Sequence, residues 1–315
     1  KILHLPASPF LYPPSAAADK IVWTEQRPHP RWGYLDYSSI KVHDLTSGRT
    51  RRLTDKSKYM APALSIDGRR IAAVEYTAAN RCHLVILDAE TGAEIQRWSH
   101  PQNALLMTPA WSADNRWIAL NALTQAGRSL GLIDLETGQW QELMANGEEN
   151  TGLPAFYKDY VLFNWDYSGI DNIYAIHRHS KKIWQVTSRK FGAFNPSVSR
   201  DSRTLYFNDY DSKGYQVAEM ELDSTQWREG GEIVPHRFGY HEPLVLQEAG
   251  ADFIKTLPDT TFKIEEYRSL KDVIRPHSWI LPIAADSYET ITAQLVSQNL
   301  LGTMGWTLGY AYNQN

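Results

Sequence analysis

Residues 61–77 read APALSIDGRRIAAVEYT and residues 108–124 read TPAWSADNRWIALNALT. Each is a short apolar stretch, a polar turn and then an alternating run rich in β-branched, aliphatic and aromatic residues. Apolar runs joined by a tight polar turn predict a β-hairpin. Asp67 and Asp114 suit the turn because a short carboxylate can bond its own backbone, and Gly68 or Asn115 beside them tolerates left-handed angles. A second hairpin follows each first one, with turns Asp44-Leu-Thr-Ser-Gly48, Asp88-Ala-Glu-Thr-Gly92 and Asp134-Leu-Glu-Thr-Gly138. Short, partly alternating strands flank these turns: IKVHD, HLVILD and LGLID before, RTRRLT, AEIQRW and QWQEL after. The fourth unit loses the turn signature (His177 to Lys181) but keeps NIYAI and KIWQV, and the fifth keeps YQVAEMEL before Asp223.

The unit recurs. Pro14/Asp19, Pro62/Asp67, Pro109/Asp114, Pro154/Asp159 and Pro196/Asp201 share one internal spacing, and the prolines stand 48, 47, 45 and 42 residues apart. Two hairpins per repeat of this length are the arithmetic of a propeller blade. The expected fold is therefore all-β: a β-propeller of four-stranded antiparallel blades, five visible and six in the ring, with a non-propeller C-terminal extension. No amphipathic helix stands out before residue 260. The five aspartates read as turn formers, one to each blade and too far apart for acid–base pairing. The prolines read as residues at the first position of a strand, where proline is tolerated. KILHLP (1–6) resembles the last strand of a preceding or shared blade, since Leu5 precedes Pro14 by the same nine residues that separate Leu53 from Pro62.

The period ends near residue 235, which divides the chain into a propeller (1–235), a linker with a short helical turn before Pro276 (236–282) and two long strands (283–315). In the last stretch Met304, Trp306, Leu308, Tyr310 and Tyr312 alternate with Thr303, Gly305, Thr307, Gly309 and Ala311. Bulky apolar residues on one face and small or polar ones on the other suit a transmembrane β-strand. They also suit a strand packed on a water-soluble core.

Composition narrows the partners more than the fold. The 315 residues carry a net charge of −4 with Lys and Arg scattered, so no nucleic-acid surface is expected. The aromatic richness, 11 Trp and 17 Tyr, fits a sheet protein. The single cysteine, Cys82, lies in a predicted strand and allows no intrachain disulfide. No metalloprotease, nucleophile-elbow, phosphate-loop or paired-cysteine motif occurs, so no catalytic residue, cofactor or metal site is expected. His177 and His179, and His236 and His241 near Glu242, read as surface polar residues rather than as metal pairs. Two loops combine aromatic residues with charge: Arg27, His29, Arg31, Trp32, Tyr34 and Tyr37 in the first unit, and Trp165 and Tyr167 in the fourth. Such loops on a rigid scaffold are candidate partner-binding elements.

The unit P-x-x-S-x-D-G/N-R-x-I-A, at 62–72 and 109–119, resembles the repeats of TolB-like (WD40-like) propellers of the bacterial envelope. In unit four Tyr157-Lys-Asp-Tyr160 replaces the Ser-x-Asp-Gly turn, and unit one lacks the glycine. Tyr267-Arg-Ser-Leu-Lys271, Arg275-Pro-His-Ser-Trp-Ile-Leu-Pro282 and Asn299-Leu-Leu-Gly302 resemble the segment that enters the outer-membrane barrel of surface-antigen (Omp85-like) proteins. This second resemblance implies that residues 283–315 start a barrel. Together they imply a non-catalytic propeller of the periplasm or outer membrane of a Gram-negative bacterium, binding a protein or peptide and tethered to a barrel. Two other readings stay open: the accessory propeller of a peptidase whose catalytic domain lies elsewhere, and a propeller glycan lyase or hydrolase. A neutral aromatic channel mouth would fit the first reading. Carboxylates or histidines converging from several blades would fit the lyase or hydrolase.

Overall fold

The computed structural model describes residues 12–32, 36–236, 239–248, 257–281, 283–284 and 290–313, so KILHLP and Tyr34 lie outside the described residues. Five antiparallel sheets follow one another in chain order. The first holds β1 (Ser15–Ala17), β2 (Lys20–Pro28), β3 (Asp36–Asp44) and β4 (Thr50–Arg52). The second holds β5 (Tyr59–Leu64), β6 (Arg70–Tyr76), β7 (Cys82–Asp88) and β8 (Glu94–Ser99). The third holds β9 (Leu105–Trp111), β10 (Trp117–Thr124), β11 (Gly127–Asp134) and β12 (Trp140–Gly147). The fourth holds β13 (Thr151–Tyr157), β14 (Tyr160–Trp165), β15 (Asn172–His177) and β16 (Ile183–Gln185), and the fifth β17 (Ala193–Val198), β18 (Thr204–Asp211) and β19 (Gly214–Glu221).

Among the described residues the fifth sheet has three strands, against the four of the first three sheets. After Asp223 the chain makes a short 3-10 turn (Ser224–Gln226), with the Asp223 side chain accepting from the Thr225 N–H. It then forms β20 (Arg228–Glu229), which pairs with β16 of the fourth sheet, Trp184 opposite Glu229 and Gln185 opposite Arg228. The segment that the repeat would make a fourth strand thus caps the neighbouring sheet instead.

Alternation along each strand feeds two cores at once, because successive side chains leave opposite faces of a sheet. Ile71, Ala73, Val85 and Leu87 of the second sheet pack with Val22, Ile40 and Val42 of the first. Their neighbours Ala72, Val74, Leu84 and Ile86 pack with Leu106, Ile118 and Leu120 of the third. Leu130 and Leu132 meet Phe163 and Tyr174 between sheets three and four, and Leu162 and Ile173 meet Leu205 and Phe207 between sheets four and five. Burial on both faces explains near-continuous apolar runs such as LVIL. A backbone bond ties the two turns at one end of each of these five sheets: the N–H of Leu45, Ala89, Leu135, Arg178 and Leu222 donates to the carbonyl of Asp19, Arg69, Arg116, Asp159 and Arg203 respectively.

Four of the repeat prolines do not start strands. Pro62, Pro109, Pro154 and Pro196 sit inside β5, β9, β13 and β17, each where the register with the second strand of its sheet slips. The residue before each has positive φ: Ala61 48°, Thr108 48°, Leu153 40° and Asn195 58°. A bulge leaves a residue outside the ladder, and that is where a residue without an N–H does no harm. Positive φ at non-glycine residues costs about 1–3 kcal/mol each and persists only where the surroundings impose it.

The chain divides into two compact units, Lys1–Gln26 with Ser38–Gly239, and Arg27–Tyr37 with Tyr240–Asn315. The second unit holds α1 (Glu242–Gln247), α2 (Ser269–Val273), β21 (Ser278–Ile280), β22 (Ile283–Ala284), β23 (Thr290–Gln298) and β24 (Gly305–Asn313). The exposed helix α1 has no counterpart in the sequence expectation, while α2 lies at the turn expected before Pro276. The Ser297 hydroxyl donates to the Val273 carbonyl (2.6 Å), and so does the Trp306 indole N–H (2.7 Å), fastening the end of α2 to the sheet. Register puts Trp279 opposite Leu295, Leu295 opposite Leu308 and Ala293 opposite Tyr310 on one face, with Gln294–Gly309 and Val296–Thr307 on the other. Trp279 is 71% exposed, Leu308 63% and Tyr310 70%, so the apolar face is open among the described residues.

Candidate functional site

The innermost strands of all five sheets line one cavity of about 350 Å³. Pro14, Pro62, Pro109, Pro154 and Pro196 all reach its wall, so residues spaced some 45 apart in sequence converge there. Tyr12, Ile66, Trp111 and Phe156 add large apolar surface, and Ser15, Thr108, Asn195 and Ser197 add neutral polar groups. The described lining contains no carboxylate, imidazole, ammonium or guanidinium group. The wall is braced by bonds between sheets: the Leu64 N–H donates to the Ser15 hydroxyl (3.0 Å), the Trp111 indole N–H to the Ala63 carbonyl (2.9 Å), and the Asn195 N–H to the Asn164 side-chain oxygen (2.9 Å). The Arg70 guanidinium lies 4.8 Å over the Trp111 ring, outside the lining.

The aspartates of the repeat stand in turns. Asp67, Asp114 and Asp201 each accept from the hydroxyl two residues earlier (Ser65, Ser112, Ser199) and from the N–H two residues later (Arg69, Arg116, Arg203). Asp19 lies in a two-residue turn in which it and Ala18 both have positive φ. Asp159 stands in the equivalent turn, 3.9 Å from the His179 ring nitrogen. In the second turn of the fourth sheet His177 takes the aspartate's place, its Nδ1 accepting the N–H groups of His179 and Ser180. That use of the ring gives His177 a turn-forming role. Among the described residues no three His, Cys, Asp or Glu side chains come together.

These turns set an acid limit on the fold. Backbone N–H groups lower the carboxyls of Asp44 and Asp88 below 3.8, and the Arg116 guanidinium lowers that of Asp134. Burial raises Asp171, and the Asp166 charge raises it further. For the lowered groups the stabilisation is complete above the unfolded value near 3.8 and disappears as pH falls through the lower folded values. Asp171 acts with the opposite sign, but it is one group against several. Thermal melts followed by circular dichroism should show the melting temperature nearly level above about pH 5 and falling steadily toward about pH 2.

The predicted loops have separate fates. In the first, the His29 Nδ1 accepts the N–H groups of Arg31 (3.1 Å) and Trp32 (3.0 Å), Arg31 stacks on Trp32, and His29 lies against Tyr37. In the second, Trp165 stacks on Tyr167 (4.3 Å) and meets Tyr174 edge-on (5.1 Å), so its indole is committed largely to the core between sheets three and four. Tyr167 lines an open pocket of about 770 Å³ with Glu148, Glu149, Asp166 and His236. The set of residues that lines the cavity escaped the residue-by-residue reading. Its signal was present in the five evenly spaced prolines.

A family model described as the TolB beta propeller domain (PD40) matches residues 18–230. No curated protein sequence matches the chain. Among solved structures, the putative TolB from Agrobacterium tumefaciens is similar with a TM-score of 0.55 and 14% identity, over 69% of this chain and 78% of that one. TolB from Acinetobacter baumannii is similar with a TM-score of 0.55 and 13% identity, over 93% of this chain and 64% of that one. An oligogalacturonate lyase in complex with manganese has a TM-score of 0.50 and 14% identity, over 67% of this chain and 61% of that one. The chain therefore spans a little under two thirds of the second and third proteins, and at these identities the likeness concerns the fold.

Proposed function

The chain belongs to the TolB beta propeller domain family, and on that footing we propose a non-catalytic propeller of the bacterial cell envelope that binds a protein or peptide at its channel. The carrying observation is the channel wall: five innermost strands, five prolines and a neutral, largely apolar lining. A site of this kind suits a neutral peptide segment, which brings apolar side chains to the aromatic surface and backbone groups to Ser15, Thr108, Asn195 and Ser197. The four strained bulges favour the same reading, because backbone held in sparsely populated angles concentrates where a protein clamps a ligand. Neither a peptidase accessory role nor glycan cleavage draws comparable support from the lining.

The open apolar face of β23 and β24 supports a tether to an outer-membrane barrel, with Trp279, Leu308 and Tyr310 toward lipid and glycine and threonine opposite. No helix among the described residues is long and apolar enough to cross a membrane. The reading places the propeller in the periplasm.

Calorimetric titration with short neutral peptides rich in leucine, valine and alanine tests the channel. Ile66 is 47% exposed at the cavity, so Ile66→Asp should leave the fold intact while placing a charge beside the bound peptide. The expected result is binding that weakens at least about tenfold in the variant, the equivalent of about 1.4 kcal/mol. Equal affinity in both proteins would remove the channel from the account.

A further inference from the structure

The fourth sheet departs from the repeat at both turns of one end, and both departures bring cations. Tyr157-Lys-Asp-Tyr160 stands where the second and third sheets carry Ser65-Ile-Asp-Gly68 and Ser112-Ala-Asp-Asn115. His177-Arg-His-Ser-Lys-Lys182 stands where they carry Asp88-Ala-Glu-Thr-Gly92 and Asp134-Leu-Glu-Thr-Gly138. The Arg178 N–H donates to the Asp159 carbonyl (2.9 Å), which brings the two turns together. The fifth sheet adds Arg200 and Arg203: the Tyr157 hydroxyl donates to the Leu222 carbonyl (3.2 Å), and the Leu222 N–H to the Arg203 carbonyl (2.8 Å). Lys158, Lys181, Lys182, Arg200 and Arg203 are exposed, and among the described residues neither they nor Arg178 form an ion pair. Three carboxylates stand among these cations. Asp201 and Asp223 are taken up by their own turns, and Asp159 lies 3.9 Å from His179. At the same end of the first three sheets cations meet carboxylates instead, Lys20 and Arg51 at Glu90, and Arg116 at Asp134 and Glu136.

We propose that the turn end of the fourth and fifth sheets docks an acidic segment of a partner protein. Charge complementarity is the first argument: unmatched cations gathered on one patch of a chain of net charge −4 attract and orient an acidic partner. Order is the second. The His177 Nδ1 holds the N–H groups of His179 and Ser180, the Gln141 side-chain N–H donates to the Arg178 carbonyl (3.1 Å), and the Arg178 guanidinium lies 5.0 Å over the Trp117 ring. A turn fixed before the partner arrives loses little freedom on binding. Shape decides between a protein and an anionic lipid surface. A flat bilayer at this end would also meet Asp67, Asp88 and Asp114, whereas a narrow segment rests on the basic half alone. The described channel lining shares none of these cations, so the surface stands apart from the channel.

Fluorescence anisotropy with a short labelled peptide of glutamates alone tests the surface in the intact chain. Reversing two charges together, Lys181→Glu with Lys182→Glu, should weaken binding at least about tenfold. Arg200→Glu on the neighbouring sheet should weaken it at least about threefold. Lys213→Glu makes the same kind of charge change at the opposite end of the fifth sheet, in the exposed turn between β18 and β19, and should leave affinity within about twofold. Equal affinity in the parent and the double variant would overturn the proposal, and so would an equal loss in Lys213→Glu. Binding to phosphatidylglycerol vesicles that exceeds binding to the peptide and is lost in the double variant would overturn it too, by giving the patch to lipid.

Discussion

Trp111→Ala should cost about 3–5 kcal/mol in denaturant unfolding, the range for removing a large buried aromatic side chain. Trp111 is only 5% exposed and stands where three roles coincide. Its ring belongs to the core between the second and third sheets, its indole N–H closes on the Ala63 carbonyl of the neighbouring innermost strand, and one side lines the channel. The first role is the largest, because the lost apolar contact and the cavity left behind add together. Trp111→Phe separates the roles. It keeps most of the apolar area but leaves the Ala63 carbonyl without its donor, which should cost about 1–3 kcal/mol. Peptide affinity should fall in both variants, further in the alanine variant. Midpoints of guanidinium transitions give the stability order, and an alanine variant as stable as the parent would mean that the sheets are not joined through this residue.

Gly131→Ala should also destabilise strongly for its size, by about 1–3 kcal/mol or more. A Cβ at Gly131 would overlap the Trp140 ring and stand 2.8 Å from the Gln141 carbonyl, both on the adjoining strand β12. Trp140 cannot simply turn aside, because it stacks on Trp98 (5.7 Å) and meets His100 edge-on. Trp98 is itself fixed by an N–H bond to the Gly138 carbonyl (2.9 Å). Trp140→Ala relieves the ring clash but not the carbonyl contact. In the double variant the two costs should therefore add to less than their sum, with a coupling of about 0.5–3 kcal/mol. Strict additivity would contradict the close packing of β11 on β12.

The repeat was legible because it is local: a hairpin of apolar runs around Asp67 or Asp114 can be read without knowing what it packs against. The same locality misled the reading of the prolines. A proline at the head of an apolar run looks like the first residue of a strand, and nothing about Ala61, Thr108 or Leu153 announces positive φ, since none is a residue type that favours it. The path of the chain after the fifth sheet was hidden for a related reason. Asp223 resembles the second-turn aspartates Asp44 and Asp88, but it caps a 3-10 turn, and the pairing of Arg228 with Gln185 is a tertiary choice between two edges. Trp165 looked like a loop ligand because its place under Tyr167 and beside Tyr174 depends on contacts across a sheet and between sheets. The channel is the extreme case. Its chemistry lies in no single segment and emerges only when five prolines, each unremarkable alone, reach one wall.

The most direct test of the channel as the binding site is a backbone amide NMR titration with short neutral peptides rich in leucine, valine and alanine. The account predicts that the largest shifts fall on Ala63, Ala110, Ala155 and Ser197, the residues that follow the prolines on four innermost strands, and that Ile66→Asp diminishes them all. Shifts confined to the acidic pocket around Glu149 and Asp166, with the proline-flanking amides unmoved, would contradict it.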